Sequence, residues 1–480
     1  MDKKYIFAID GGTQSTKVVI FDFNGNIISQ GKQTLRPAQA PKVGYVEHPD
    51  DDLWDSLVSA SRLALDGFPG KVSEIAGIGL CTIRSCRVLL RNDGSLAYPV
   101  IDWMDTRAYG PFVFPVDDAA YATTTTGYMT HRLTGEFRDT MANCTNRQWP
   151  ADMAAWDWSK DEDDFRKLNL KRSMMMEPQM PGSILGELTE EAAHALGLVK
   201  GIPVVATASD KAVEALGAGL AQSGNTGLVS LGTYITSMVC GKDYVKDAQN
   251  FWTNFASMPN KYLYESFGIY RGMWTVSWIR DILGEGPAKK AEELGISTEE
   301  YLNQQAALVP AGSDGLMSVI EWLGGPRAPH KKGIMIGFDG RHTAAHMYRS
   351  ILEGIALTMK NKFGAMCSEL NIRPDKIIVS GGGSNSDLFM QIFADVFGIP
   401  ALRNVMNGAA ALGSAICAAV AVGVYPSYED AAKNMVRIRD EFTPNLKNHE
   451  LYNRMNEDAY KHISAATDEI LRKTHSIFDV

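Results

Sequence analysis

The sequence has no long uninterrupted apolar run, no basic run and no paired cysteines. Its longest apolar stretch, residues 409–424 (AAALGSAICAAVAVGV), is rich in alanine and glycine and falls short of the ~20 residues that a bilayer requires. That composition predicts a buried helix packed closely against its neighbours. The opening residues, MDKKYIFAID, place two lysines before a strand too short for a signal-peptide core. The six cysteines (81, 86, 144, 240, 367, 417) show no CxxC or zinc-ligand spacing, which predicts reduced, mostly buried thiols. Lys and Arg (47) are outnumbered by Asp and Glu (56), and the net charge of −9 argues against nucleic acid as the main partner. Neither GxGxxG, a Walker GK[ST] nor HExxH occurs. One HxxxH, His342 and His346, would put two imidazoles on one helical face, but no third ligand stands beside it. The expectation is a cytoplasmic protein without a membrane partner.

What is present is enough chain, 480 residues at 45% hydrophobic content, for two or three domains. The informative stretch is residues 5–22, YIFAIDGGTQSTKVVIFD. It reads as strand, tight turn, strand, with the turn built from Gly11, Gly12, Thr13, Gln14, Ser15 and Thr16. Glycines let backbone approach a bulky anion, and exposed N–H and hydroxyl groups donate to phosphate oxygens. Lys17 adds positive charge just past the turn. Asp10 ends a buried strand, a costly place for a carboxylate unless it faces a cation or a ligand. Taken alone, the stretch reads first as an ordinary hairpin turn.

Further along, residues 26–33 read as a third strand, 53–65 as a helix, 75–80 as a buried strand and 123–135 as a helix ending at Gly135. Residues 202–206 (IPVVA) form a buried strand that delivers Thr207, Ala208, Ser209 and Asp210 to a small-residue helix over 211–219. By spacing, Asp210 either caps that helix or points into a cleft as a base. Then the opening pattern returns: strand 226–230, turn 231–233 (LGT), strand 234–239. Two such units half a chain apart predict duplicated α/β halves facing one another. Residues 377–386 (IIVSGGGSNS) run a buried strand into three glycines before a helix over 387–397, a generic nucleotide-binding arrangement. Residues 428–473 read as two polar amphipathic helices.

The order DGGTQSTK, SLGTYITS, SGGGSNSDLFMQIFADVFGIP resembles the FGGY carbohydrate kinases, a branch of the actin-like ATPase superfold. Other stretches agree: GYVEH at 44–48, WMDTR at 103–107, LTGE at 133–136 with Arg138 and Asp139, 201–219, GGPRAP at 324–329, and HMYRSILEGIA at 346–356. One departure stands out. Members of the family usually carry about 60 residues between the "W.D.R" loop and the "RLTGE" helix, whereas here the interval is only 108–132. Its loss would leave an opened pocket, an unusual substrate, an oligomer filling the gap, or a dead enzyme.

The resemblance implies an α/β fold of two actin-like (ribonuclease H-like) domains from a duplicated mixed-sheet unit, with a cleft between them. Residues 1–222 would be the N-terminal kinase domain, 223–440 the C-terminal one and 441–480 a helical segment. It implies ATP and Mg²⁺ as cofactors. Gly12, Thr13, Gln14, Ser15 and Lys17 on one side and Gly232 and Thr233 on the other would close around phosphates. Gly381, Gly382, Gly383 and Asn385 would receive the nucleoside, Asp10 would hold the metal, and Asp210 becomes the base. Arg84, Ser85, Trp103 and Asp105, together with Asp210, would meet the sugar, although Trp103 also fits a core position. Glu265 and Arg271 fit either pocket lining or packing, and His346 and Glu353 read as fold residues. The implied reaction is phosphoryl transfer to a small sugar, centrally a ketopentose. A polyol, an autoinducer-like dione, or a catalytically weak sugar-binding regulator are the alternatives, and association into a homodimer stays open.

Overall fold

The computed structural model describes residues 3–145, 147–221, 225–325, 328–406 and 408–478. The expected division at 222/223 and part of the GGPRAP match (Pro326, Arg327) lie outside the described residues.

Two mixed sheets form the frame. The first contains β1 (Tyr5–Gly11), β2 (Ser15–Asp22), β3 (Ile27–Thr34), β4 (Ile75–Thr82), β5 (Ile184–Glu187) and β6 (Pro203–Ser209), in the spatial order β5-β6-β4-β1-β2-β3. β1, β2 and β3 are antiparallel, whereas β4 and β6 continue parallel to β1. The second contains β7 (Thr226–Leu231), β8 (Ile235–Gly241), β9 (Phe251–Phe255), β10 (Tyr262–Ser266), β11 (Lys376–Ser380), β12 (Ala401–Asn404) and β13 (Ile438–Phe442), in the order β9-β10-β8-β7-β11-β12-β13. Here β7, β8 and β10 are antiparallel, and β11 and β12 run parallel to β7. The five-strand pattern of the first sheet therefore repeats in the second, as the duplicated Gly-Thr turns predict. Each sheet even adds an antiparallel strand beyond its last parallel one, β5 beside β6 and β13 beside β12.

β4 is buried along its whole length, as a central strand of a sheet covered on both faces must be. Helix α1 (Asp52–Asp66) lays Leu53, Leu57, Ala60 and Ala64 against that sheet. Helix α2 (Thr125–Thr134) starts two residues later than expected because the Thr124 side chain accepts the Thr126 N–H, and it stops at Gly135 in the left-handed conformation (φ 76°).

The two units meet through α3 (Asp210–Gly217), which follows the fifth strand of the first pattern, and a helix at the equivalent place in the second. Between them in the chain come α4 (Gly272–Ile282), α5 (Ala344–Glu369) and α6 (Asp387–Phe397); the equivalent helix is α7 (Ala410–Ala421). α7 is the apolar stretch expected to pack closely, and it does so at backbone distance. A Cβ on Gly413 would sit 1.9 Å from the Val213 carbonyl oxygen, and one on Gly217 2.0 Å from that of Ala409. On its other side α7 covers the first sheet, where a Cβ on Gly79 would meet the Ser414 carbonyl at 2.3 Å. Ile6, Ala8, Val19 and Phe21 share one apolar cluster with Ala411, Leu412, Ala415 and Ile416.

Two expectations need correction. Residues 428–473 are not two helices: helix Tyr428–Met435 leads into β13, which pairs with β12, and further helices follow from Leu446. A division at 440/441 would cut this strand, and Tyr452 and Tyr460 bind Glu353, Arg349 and Thr358 of α5. The HxxxH pair does not share a helical face either, since α5 begins at Ala344, after His342. Glu353 is a fold residue as expected, buried and accepting from Arg349, Ser313 and Tyr452. Among the described residues no helix is long and apolar enough to cross a membrane.

The glycine crossing yields a direct test. Gly413→Ala is expected to cost about 2 kcal/mol, because backbone atoms rather than flexible side-chain ends must give way. Gly382→Ala, where a Cβ meets open space, is expected to cost almost nothing. Urea midpoints at equal m would measure both, and equal midpoints would mean that the helices do not need the contact.

Candidate active site

The turn between β1 and β2 is held by the Gly12 N–H donating to the Ser15 carbonyl (3.0 Å), with Thr13 and Gln14 exposed at its tip. Ser15 already belongs to β2, and Lys17 lies one turn-width back, directly opposite Asp10 across the β1–β2 ladder. Lys17 therefore faces Asp10 rather than the open tip. The Trp103 indole N–H donates to Thr13 Oγ1 (3.3 Å), and Trp103 is 40% exposed, so it lines the opening and is not core.

The second Gly-Thr turn is pinned to α4: the Gly272 N–H donates to the Thr233 carbonyl (2.8 Å) and the Met273 N–H to that of Gly232 (3.1 Å). The three glycines after β11 differ in purpose. Gly381 has a φ of +89° and its Cβ would lie 2.5 Å from the Leu231 carbonyl; Gly383 faces Leu231 and Met273 side chains. Both are glycine because this loop leans on the second turn, whereas Gly382 alone faces open space. Arg403, which the sequence reading missed, is buried behind the loop and donates to the Ser384 (2.9 Å) and Asn385 (3.3 Å) carbonyls.

Between these loops lies a cluster of charges. Asp10, at the end of β1, is pushed up to about 6 by burial first, then by Asp210, with Lys17 opposing and Glu214 adding. Asp210 is the first residue of α3; its Oδ1 accepts the Lys211 backbone N–H (2.8 Å) and lies 3.6 Å from Arg84 Nε. The N-cap is Ser209, so Asp210 does not cap the helix; it holds the next N–H with one oxygen, and Oδ2 has no partner among the described residues. Arg84 reaches across to the second unit, where Nη1 and Nη2 donate to Glu265 at 3.1 and 3.4 Å. Burial works against the Arg84 charge, but Glu265 and Asp210 outweigh it and hold the guanidinium protonated. Glu265 is fully buried on β10 and also accepts from Asn254 (3.0 Å), so it belongs to the site through Arg84. Arg271 instead stacks on Trp274, 4.3 Å from its ring centre. Ser85, beside Arg84, holds a left-handed φ of 67°. A non-glycine residue there carries strain of a kind that gathers at functional sites.

Asp105 is a correction. It is fully buried, and both its oxygens are taken: by the Arg107 N–H and Nε on one side, and by the Val46 N–H and Arg107 Nη2 on the other. Its work is to hold the loop that presents Trp103, not to receive a sugar hydroxyl. The short interval after that loop is closed by packed chain: Phe112 is buried under the Arg87 guanidinium, which lies 4.4 Å from its ring centre and 5.1 Å from that of Trp149.

The recessed Asp10 carboxylate carries an electrostatic cost that can be measured. The folded pKa of Asp10, about 6, exceeds its ordinary 3.8, so the folded state binds more protons between those values. Stability therefore falls as pH rises through that window, and the ionised carboxylate is a burden above it. Asp10→Asn is expected to raise the melting temperature of the Mg²⁺-free protein at pH 8 and to change it little at pH 4.5. A lower melting temperature at pH 8 would show that contacts, not burial, govern Asp10.

Comparison with known proteins accords with this geometry. The chain matches the FGGY family of carbohydrate kinases, N-terminal domain, over residues 5–112 and 116–217, and the C-terminal domain of the same family over 227–422. The break in the first match falls inside the short interval. The uncharacterized sugar kinase YgcE of Escherichia coli (strain K12) is 50% identical over 477 residues, covering 99% of this chain and 96% of that protein. An alignment of that length leaves no space for a long segment present only in the relative, so the short interval is shared. Autoinducer-2 kinase of the same strain is 27% identical over 496 residues, covering 94% of this chain and 92% of that protein. The xylulose kinase from Rhodospirillum rubrum has the same fold, with a TM-score of 0.84 at 22% identity over 98% of this chain and 100% of that one. Matched in both halves and half identical to a relative along nearly its whole length, the chain belongs to the FGGY family of carbohydrate kinases and is a phosphotransferase with an alcohol group as acceptor.

Proposed function

We propose that the chain transfers the γ-phosphate of ATP to a hydroxyl of a small open-chain sugar, with a ketopentose of the xylulose or ribulose kind as acceptor. The observation that carries this reading is the meeting of Asp210, Arg84 and Glu265 beside the two Gly-Thr turns. Asp210 keeps one oxygen oriented by the helix backbone and the other available for a hydroxyl proton, the arrangement a general base needs. Arg84 supplies hydroxyl donors and Trp103 an apolar wall. Thr13 and Gln14, with Gly232 and Thr233, offer donors to phosphate oxygens where Gly12 lets the backbone come close, and Gly382 with Asn385 the face for the nucleoside. Phosphoryl transfer asks mainly for such positioning and charge neutralisation.

Mg²⁺ fits Asp10. A recessed carboxylate with Asp210 close by and only Lys17 opposing is an excess of negative charge that a hard cation relieves. When bound, the ion would neutralise phosphate charge, and Asp10 would hold it through water.

A dione acceptor is the second reading, favoured by the similarity to autoinducer-2 kinase along most of the chain. ATP consumption with Mg²⁺ and a panel of ketopentoses, aldopentoses, polyols, sugar acids and a dihydroxy-pentanedione separates the two. ADP production with a ketopentose is the expected result; production with the dione alone would replace that acceptor. A flat panel, with ATP still binding by calorimetry, would instead favour a sugar-binding regulator. With the active acceptor, Asp210→Asn is expected to lower turnover by about 10² or more while leaving ATP affinity nearly unchanged. Turnover within threefold of the parent would mean that Asp210 is not the base.

A further inference from the structure

A part-buried ion pair lies one residue beyond Asp210, and the reaction as described does not use it. Lys211 Nζ donates to Glu214 Oε2 (2.8 Å) and to Ser230 Oγ (3.2 Å); Ser230 Oγ donates to Glu214 Oε1 (2.8 Å), and Ser380 Oγ approaches the same oxygen at 3.5 Å. The lysine and glutamate belong to α3 of the first unit. Ser230 stands two residues before Gly232, and Ser380 directly before Gly381, so the network touches the strands that carry both nucleotide-facing loops. The lysine side chain is 21% exposed. Its ammonium has three N–H donors and two acceptors among the described residues.

Stability does not account for such a pair. Two charges withdrawn from water gain little over well-packed apolar groups of the same size. Burial opposes the Lys211 charge, but Glu214 and Asp210 outweigh it, so the ammonium stays protonated. The cations nearest these groups have other partners: Arg84 is committed to Glu265, Lys17 faces Asp10, and Arg147 lies over the Trp252 ring.

Resting on the kinase reading above, we propose that Lys211 is a catalytic residue whose ammonium donates to the oxygens of the phosphoryl group in transfer, from a position that Glu214 and Ser230 set. In the step itself, the acceptor hydroxyl gives its proton to Asp210. Its oxygen bonds to the γ-phosphorus as the bond from that phosphorus to the β,γ-bridging oxygen breaks, and ADP leaves with that oxygen. Lys211 keeps its proton throughout and contributes a charge-assisted hydrogen bond that strengthens as charge shifts toward the transferring oxygens. Glu214 and Ser230 are positioning residues.

The test uses the full chain with Mg²⁺, ADP and aluminium fluoride, a mimic of the phosphoryl group in flight, read by calorimetry. The double variant Lys211→Met, Glu214→Gln removes both charges and leaves neither stranded. It is expected to bind ADP within about threefold of the parent, to melt no lower, and to bind the ADP–aluminium fluoride complex about 10²-fold more weakly. Lys211→Arg is expected to retain most of that affinity. Equal affinity of parent and double variant for the complex would overturn the role of Lys211 and leave the kinase reading standing. A parent that binds neither ADP nor the complex would overturn the kinase reading and this inference with it. Should the double variant not fold, Lys211→Gln measured in the same way decides between the same outcomes.

Discussion

The structure depends on one contact between two helices that have no side chains at their crossing. α3 and α7 touch through Gly217 and Gly413 with main-chain atoms closer than any Cβ would permit. α3 begins with Asp210, and α7 follows the strand from which Arg403 supports the glycine loop. The separation of Asp210 from the glycine loop is therefore set by helix radius rather than by rotamers. Phosphoryl transfer loses rate steeply when reacting groups are displaced by an ångström. A contact without side-chain freedom is a rigid way to fix that distance.

Around this crossing the charges are arranged in opposed pairs. Asp10 faces Lys17, Arg84 spans to Glu265, and Lys211 is held by Glu214. Among the described residues, Asp210 has its hydrogen-bond and ion-pair partners on one oxygen only. The consequence is a cleft in which Arg84 and Lys211 are already paired, while the carboxylates Asp10 and Asp210 are the less compensated groups. Burial lifts Asp10 toward neutrality for the same reason: one lysine does not balance its own desolvation together with Asp210 and Glu214.

Much of this was legible in the sequence. Turns at 11–16 and 231–233 announce themselves because glycine and threonine interrupt buried strands, and helix 387–397 is bounded by Ser386, which caps Phe389, and Gly398 with a positive φ. The roles of individual side chains were less legible where distant chain decides them. Asp105 looks like a site residue by motif, but Arg107 and the Val46 N–H consume it. Strand β13, IRDEF, is charged and mostly exposed, and only its pairing with β12 makes it a strand. Glu265 lies in an ordinary strand sequence, and nothing local shows that Arg84, 181 residues away, will meet it. The Lys211–Glu214 pair is visible as i,i+3 spacing, yet its burial between two serines of another sheet is not.

The placement of α7 also bears on how the chain is made. The face of the first sheet formed by Ile6, Ala8, Val19 and Phe21 is covered by residues 411–419 of a helix that lies near the other end of the chain. During synthesis that apolar face emerges early and its cover emerges late. The N-terminal half cannot reach its native packing as each stretch leaves the ribosome, unlike domains that fold in turn. Its first sheet stays uncovered on that face until residue 421 is free. Two repeated units, each looking like a domain, are in folding terms a single one.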